Sequence, residues 1–331
     1  MDTFIHEDNQ ELINSSIRPS FPKGTYPIDT GRYLIGTNEI DRLYKKVVQC
    51  LNNRAPGAII YGRPRLGKTR ALEYLMHILP EEYEKIPIHF LICREYKNPN
   101  ENTFFQDILI DIKHGVPYSG KADKKRQRLL WFLVEQVQKS GQNRVVFFFD
   151  DAQRLNEMQY GWLMDIYNEL DRAGISLTVF LVGQEELLSQ RSIFVEEGKH
   201  QIIGRFMVQQ QQFCGVKTKN DLKEILAGYD NYSYPLESDW TMTKFYFPTA
   251  FEQGFRLENY SDMLFDVFLQ MRKEAGILGK MEIPMQYVTL TIEYTLRQFG
   301  VDGEDLNSLE RENFEEAVEN SGYIDAEGYR Y

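Results

Sequence analysis

Short, mostly apolar runs alternate with segments whose apolar positions recur every three or four residues. The runs are Ala58–Tyr61, which leads into Gly62, then Ile88–Cys93, Val145–Phe149 and Leu177–Val182. An unbroken apolar run of this length predicts a strand buried on both faces. Between the runs lie helical patterns. One carries Ile40, Leu43, Tyr44, Val47, Val48 and Leu51, with Thr37 or Asn38 placed to cap it. Others follow Gly67 (Ala71, Leu72, Leu75), span about Thr103 to Lys113, carry Leu129, Leu130, Phe132, Leu133 and Val137, and span about Gln159 to Ala173. Strands alternating with helices through about residue 190 predict an α/β domain built on a parallel sheet flanked by helices. From about residue 214 only helical patterns remain, such as Leu257–Glu274 and Met285–Phe299, which predicts a smaller, mostly helical C-terminal domain. Residues 1 to about 30 lack periodicity and carry Pro19, Pro22, Gly24 and Pro27. They read as an extended arm, either disordered or laid on another surface. The expected organisation is an arm over 1–30, an α/β domain over 31–213 and a helical region over 214–331.

Composition narrows the class. The chain has 331 residues, enough for two domains or one large one, and its 42% hydrophobic and 26% charged residues are ordinary for a soluble protein. No apolar run approaches the ~18 residues of a membrane span. The polar, acidic start (Asp2, His6, Glu7, Asp8) is unlike a signal or transit peptide, so a cytoplasmic protein without a membrane partner is expected. Cys50, Cys93 and Cys214 are scattered and are expected to be small buried side chains rather than a disulfide framework or a zinc site. A net charge of −11 argues against indiscriminate nucleic-acid binding. It leaves room for a local basic stripe: Lys97 in a polar loop, and Lys121, Lys124, Lys125, Arg126 and Arg128 at the start of a helix. Both segments flank one helix pair between the second and third strands. They are candidates for contacts to duplex phosphates, which carry no sequence information.

The strongest chemical signal follows the first strand. Gly62-Arg63-Pro64-Arg65-Leu66-Gly67-Lys68-Thr69, then Arg70 and a helical pattern, is G-x-x-x-x-G-K-T in its strand–loop–helix setting. Such a loop curls so that successive N–H groups point at phosphate oxygens beside a helix N-terminus. Lys68 would reach the β- and γ-phosphates of ATP and Thr69 would ligate Mg²⁺. A P-loop calls for a carboxylate at the end of a neighbouring strand, and Asp150 follows the third run as the second Mg²⁺ residue. Asp151 comes next, placed to orient or deprotonate the attacking water. At the end of the fourth strand, Gln184 is a candidate contact to the γ-phosphate or the water. Arg205 is a candidate finger reaching the nucleotide of an adjacent subunit, with Arg191 as its competitor.

Together these segments resemble a known family. Leu34-Ile35-Gly36-Thr37, the P-loop, Phe149-Asp150-Asp151-Ala152-Gln153, Gly183-Gln184-Glu185-Glu186-Leu187 and Gly204-Arg205-Phe206 occur in the order seen in AAA+ ATPases, over about residues 30 to 215. The Asp-acid-Ala-Gln and Gly-Gln-x-Glu-Leu signatures look most like the branch holding the TnsC- and TniB-type transposition ATPases and the ExeA-like ATPases. The resemblance implies a P-loop AAA+ fold with a helical lid, Ile35 as a further nucleotide contact and Arg256 as a sensor arginine. It also implies a ring or helical filament of ATP-bound copies on duplex DNA that recruits transposase, together with a target-selection protein. An ExeA-like ATPase of a secretion or envelope complex is the alternative, although the membrane segment or peptidoglycan-binding module it calls for is not visible. A third reading is an ATP-binding scaffold with little turnover. One departure bears on it: the branch usually has Glu after the strand-end Asp, whereas this chain has Asp151. The missing methylene draws the carboxylate back by about 1.5 Å, and a misplacement of that order costs up to about 100-fold in rate.

Overall fold

Strands form where the apolar runs predicted them, and one forms where no such run exists. The computed structural model describes residues 17–329. Its strands are β1 (Gly57–Tyr61), β2 (Ile88–Ile92), β3 (Arg144–Asp150), β4 (Ser176–Gly183) and β5 (Gln209–Gln212). They make one parallel sheet in the order β2-β3-β4-β1-β5. The central strands are buried almost throughout, as their unbroken apolar sequences require. β2 is an edge strand, and Leu91 is its one fully buried residue.

β5 was not foreseen, because it is four consecutive glutamines with no apolar position. Its backbone pairs with β1 from Ala58↔Gln209 to Tyr61↔Gln212, while its side chains alternate between half-buried and exposed. Gln209 on its half-buried side accepts a hydrogen bond from Lys46 Nζ at 2.6 Å.

The chain divides into two compact units, one of Arg42–Phe213 and one joining the residues up to Asp41 with Cys214–Tyr331. Within the first, helices α2 (Lys68–Glu82), α3 (Glu101–Asp111), α4 (Ala122–Ser140), α5 (Glu157–Arg172) and α6 (Glu186–Glu196) connect the strands. A helix α1 (Asn38–Asn52) precedes β1, and Thr37 Oγ1 accepts from Ile40 N at its start, as the sequence suggested. After α6 the chain passes through a short helix, His200–Ile202, and a π-turn, Ile203–Met207, into β5.

In the second unit, α7 (Lys219–Asn231), α8 (Ser261–Glu274), α9 (Met285–Phe299) and α10 (Arg311–Asn320) pack around Leu226, Phe268, Ile292 and Phe314. Thr218 and Asp221 form a capping box that starts α7. Arg272 and Glu327 pair at 2.9 Å with both side chains 4% exposed, and the Tyr323 hydroxyl joins them. Part of the expected N-terminal arm is ordered in this core: Tyr26 and Ile28 are buried in it, and Pro27–Thr30 is a short helix. Residues 1–16 lie outside the described residues. Among the described residues, no helix is long and apolar enough to cross a membrane. Cys50, Cys93 and Cys214 are buried free thiols.

Candidate functional site

The carboxyl ends of β1, β3 and β4 bring the predicted motifs together. β1 and β4 are neighbours, with Tyr61 opposite Gly183, and Gly62 N donates to Gly183 O at 3.2 Å. β3 pairs with β4 on its other side. The three strand ends therefore present the P-loop, Asp150-Asp151 and Gln184 side by side. In an open parallel sheet this edge is where ligands bind.

Local backbone requirements explain the loop's sequence. A Cβ on Gly62 would lie 2.2 Å from Phe213 O and 2.9 Å from Leu66 Cδ1, so only glycine lets the chain leave β1 there. Arg65 and Gly67 have φ of 67° and 97°, which wind Arg63–Leu66 into the curl that ends at the N-terminus of α2. Lys68 Nζ donates to Gly62 O and Arg63 O, both at 2.7 Å, bridging the mouth of the curl. Burial pulls the pKa of Lys68 below its ordinary value, and the charges of Asp150 and Asp151 oppose that shift. Arg70 points away, paired with Glu73 at 2.9 Å on the exposed side of α2.

Across the loop, Thr69 Oγ1 donates to Asp150 Oδ2 at 2.7 Å. Burial raises the pKa of Asp150, and the Thr69 hydrogen bond holds it back. Asp151 follows with φ of 54°, a left-handed conformation that Asp tolerates better than most residues. Its N–H donates to Asp150 Oδ1 at 3.1 Å. Gln153 Nε2 donates to Oδ1 of Asp151 at 3.2 Å, and Arg154 approaches Oδ2 at 3.3 Å. Arg154 also donates to Cys93 O at 3.1 Å, beside the end of β2. Gln184 is at the edge of the group through its backbone N–H, which donates to Gln153 Oε1 at 3.1 Å. Gln153, in the segment that carries the resemblance, and Arg154, the residue after it, are not among the site residues that the sequence predicts. The left-handed turn at Asp151, which only the structure shows, folds the next residues back on it.

Within the α/β unit, Arg205 lies away from this group. Arg205 sits in the π-turn before β5, its carbonyl against Gly57 at the opposite end of β1, about 13 Å along the strand from the P-loop. Its Nη2 donates to Asn168 Oδ1 at 3.2 Å, its guanidinium lies 5.4 Å from the Tyr167 ring, and its Nε is buried without a hydrogen-bond partner. Arg191 Nε donates to Met207 O at 2.9 Å, tying α6 to the same turn. Ile35 belongs to the second unit, buried against Gly228 of α7. Arg256, in that unit, donates to Phe251 O at 2.9 Å and Phe255 O at 2.6 Å, with its guanidinium 3.5 Å above the Phe251 ring.

The basic cluster needs correction. Lys125 is 1% exposed and donates to Gln106 Oε1 at 2.7 Å, so it is not available to a DNA phosphate. The reason is helical period: Lys125, Leu129, Leu133 and Val137 share one stripe of α4, and that stripe is the buried one. A buried ammonium requires an acceptor, which Gln106 supplies. Arg126 lies 3.3 Å from Glu101 and 3.4 Å from Asp165, and Arg128 donates to the carbonyls of Val116 and Ser119. Lys97, Lys121 and Lys124 remain exposed.

Residues 52–190 match the family model of an AAA domain. Among curated proteins, none matches the sequence. In shape the chain is similar to the ORC2 protein of Aeropyrum pernix in its ADPNP–ADP complexes, with a TM-score of 0.58 at 13% identity over 89% of this chain and 71% of that one. For the ADP form of that protein the TM-score is 0.56 at 12% identity, over 95% and 73% of the two chains. The Aeropyrum pernix ORC1 protein in complex with DNA gives 0.50 at 12% identity, over 86% and 66%. At such identities the likeness is one of fold. The five-stranded parallel sheet flanked by helices, with a helical C-terminal region, is the AAA+ fold.

Proposed function

We propose that this chain is an AAA+ ATPase of the transposition-regulator type, a TnsC/TniB-like switch. In its ATP state it assembles with copies of itself on duplex DNA and recruits transposase with a target-selection protein. The observation that carries the nucleotide part is the convergence of Lys68, Thr69, Asp150 and Asp151 at one sheet edge, with Thr69 and Asp150 joined at 2.7 Å. The transposition part rests on the Asp150-Asp151-Ala152-Gln153 and Gly183-Gln184-Glu185-Glu186-Leu187 segments.

The residues present fit ATP with Mg²⁺. The curl that Gly62 makes possible and the Lys68 ammonium at its mouth suit a chain of phosphates, and the Thr69 hydroxyl beside the Asp150 carboxylate suits a hard cation. When bound, Mg²⁺ neutralises charge that builds on the phosphate oxygens during transfer. Lys68 would hold the β- and γ-phosphates, and Thr69 and Asp150 would hold the ion. Asp151 orients the attacking water and accepts its proton. Gln184, just past β4, contacts the γ-phosphate or the water. Arg205, at the far end of the sheet, acts in trans on the nucleotide of the next copy, and its distance from the P-loop of its own chain supports that reading.

DNA contact is proposed for Lys97, Lys121 and Lys124, which are exposed in an otherwise acidic chain. The ORC1 protein, of similar shape, was solved in complex with DNA. The test is co-sedimentation with duplex DNA and with transposase, with and without a non-hydrolysable ATP analogue. Analogue-dependent co-sedimentation of both partners is expected. Binding that ignores nucleotide, or that persists in Lys68→Ala, overturns the switch. Phosphate release separates the ATPase from an ATP-binding scaffold.

A further inference from the structure

We infer that Gln153 is a positioning residue for hydrolysis, fixing the Asp151 carboxylate against the tip of β4. This rests on the reading of Asp151 as the group that activates water. The Gln153 amide spans the ends of two strands: Oε1 accepts from Gln184 N at 3.1 Å, just past β4, and Nε2 donates to Asp151 Oδ1 at 3.2 Å, just past β3. Chemistry fixes which way the amide points. The Gln184 N–H demands an acceptor and the Asp151 carboxylate demands a donor, so the amide satisfies both in one orientation only. Room for it is built in. A Cβ on Gly183 would lie 2.1 Å from Gln153 Oε1, so glycine at the end of β4 is what admits the amide.

A shortened acid explains why such a brace is needed. Asp151 stands where a longer Glu is usual for the resembled branch, and it reaches forward from a left-handed turn, φ 54°. A carboxylate with little reach acts as a base only if its direction is held. Oδ1 is held by Gln153, whose other end is anchored to backbone. Oδ2 is met by Arg154 at 3.3 Å, but both partners are 39% exposed, and exposed pairs of this kind are weak in water. Of the two contacts, Gln153 sets the direction.

The experiment measures ATP affinity, KM and kcat for the wild type and for Gln153→Ala, Gln153→Glu and Arg154→Ala. For Gln153→Ala, kcat is expected to fall by about 10- to 100-fold, the range for a misplaced catalytic group, while KM and ATP affinity hold within about threefold of wild type. Arg154→Ala is expected to stay within about fivefold of wild-type kcat, as an exposed pair allows. Gln153→Glu keeps the shape but puts an acceptor where Asp151 Oδ1 needs a donor. Its kcat is expected to fall at least as far as that of Gln153→Ala. Wild-type kcat in Gln153→Ala overturns the proposal. So does a loss of ATP affinity in step with kcat, which would make Gln153 part of the site's framework. Wild-type kcat in Gln153→Glu overturns it as well. A wild type that binds ATP without turning it over would instead overturn the hydrolysis reading, and the wild-type measurement alone reveals that.

Discussion

Thr69 Oγ1 donates to Asp150 Oδ2 at 2.7 Å, joining the first turn of α2 to the last residue of β3. Two residues 81 positions apart thereby become one hydrogen-bonded pair, the pair proposed above to hold the cation. The bond lies beside Lys68, one position before Thr69, and it partly offsets the effect of burial on the protonation behaviour of the strand-end acid.

That behaviour gives the first prediction. Burial raises the folded-state pKa of Asp150 above 3.8, so between 3.8 and that raised value the native chain binds more protons than the unfolded one. Stability therefore falls as pH rises through this window. Asp150→Asn should raise the melting temperature of the nucleotide-free protein at pH 7, and the advantage should vanish below about pH 3.8. The same variant should lose Mg²⁺-dependent ATP binding. Thermal scans across pH with an ATP titration check both, and a lower melting temperature at pH 7 would refute the first.

Arg205 and Arg191 meet at one turn, yet their contacts differ. Arg191 spends its Nε on the Met207 carbonyl, and Arg205 leaves its Nε without a partner. Arg205→Ala should therefore bind ATP within about twofold of wild type and lose at least about 10³-fold in turnover, the scale of an arginine acting on a neighbouring phosphate. Mixing it with Lys68→Ala should restore part of the activity, because some hybrid interfaces pair an intact P-loop with an intact Arg205. If Arg205→Ala turns over normally, the finger lies elsewhere and Arg191→Ala is the next variant to assay.

His89 on β2 predicts an acid limit for the α/β unit. Burial beside Phe132 and Phe147 pushes its pKa down from 6.5 to about 4, and its Nε2 is buried without a hydrogen-bond partner. The unfolded chain thus binds more protons between pH 4 and 6.5, and stability is lost as pH falls through that interval. His89→Leu should flatten the decline in melting temperature from pH 6.5 to 4. An equally steep decline in the variant would show that other groups carry it.

For DNA, the burial of Lys125 turns the cluster into a controlled comparison. Each lysine that neutralises a duplex phosphate adds about 0.9 to the slope of log affinity against log salt. Replacing Lys97, Lys121 and Lys124 together by Ala should weaken duplex binding at every sequence and flatten that slope by about two to three. Lys125→Met should leave the slope alone, because its ammonium meets Gln106 rather than solvent. Titrations at several salt concentrations decide, and an unchanged slope in the triple variant would remove these lysines from the interface.

The sequence by itself determined the elements whose signal is local. Apolar runs marked β1, β3 and β4, because a central parallel strand is covered on both faces and must be apolar at every position. The P-loop and Asp150-Asp151 were legible for the same reason, since turn chemistry and strand-end carboxylates depend on adjacent residues. The pattern over Met285–Phe299 likewise became α9 with those bounds. Only the tertiary structure decided the rest. β5 exists because the free edge of β1 offers backbone donors and acceptors to any chain laid beside it, even four glutamines. Lys125 is buried because α4 packs by its stripe, and Gln106 on α3 happens to stand opposite. Gln153 bridges β3 and β4 because those strands are neighbours in space, though their ends are some 30 residues apart in the chain. Which acid has its direction held, and by what, follows from strand order, and strand order is set by packing across the whole sheet.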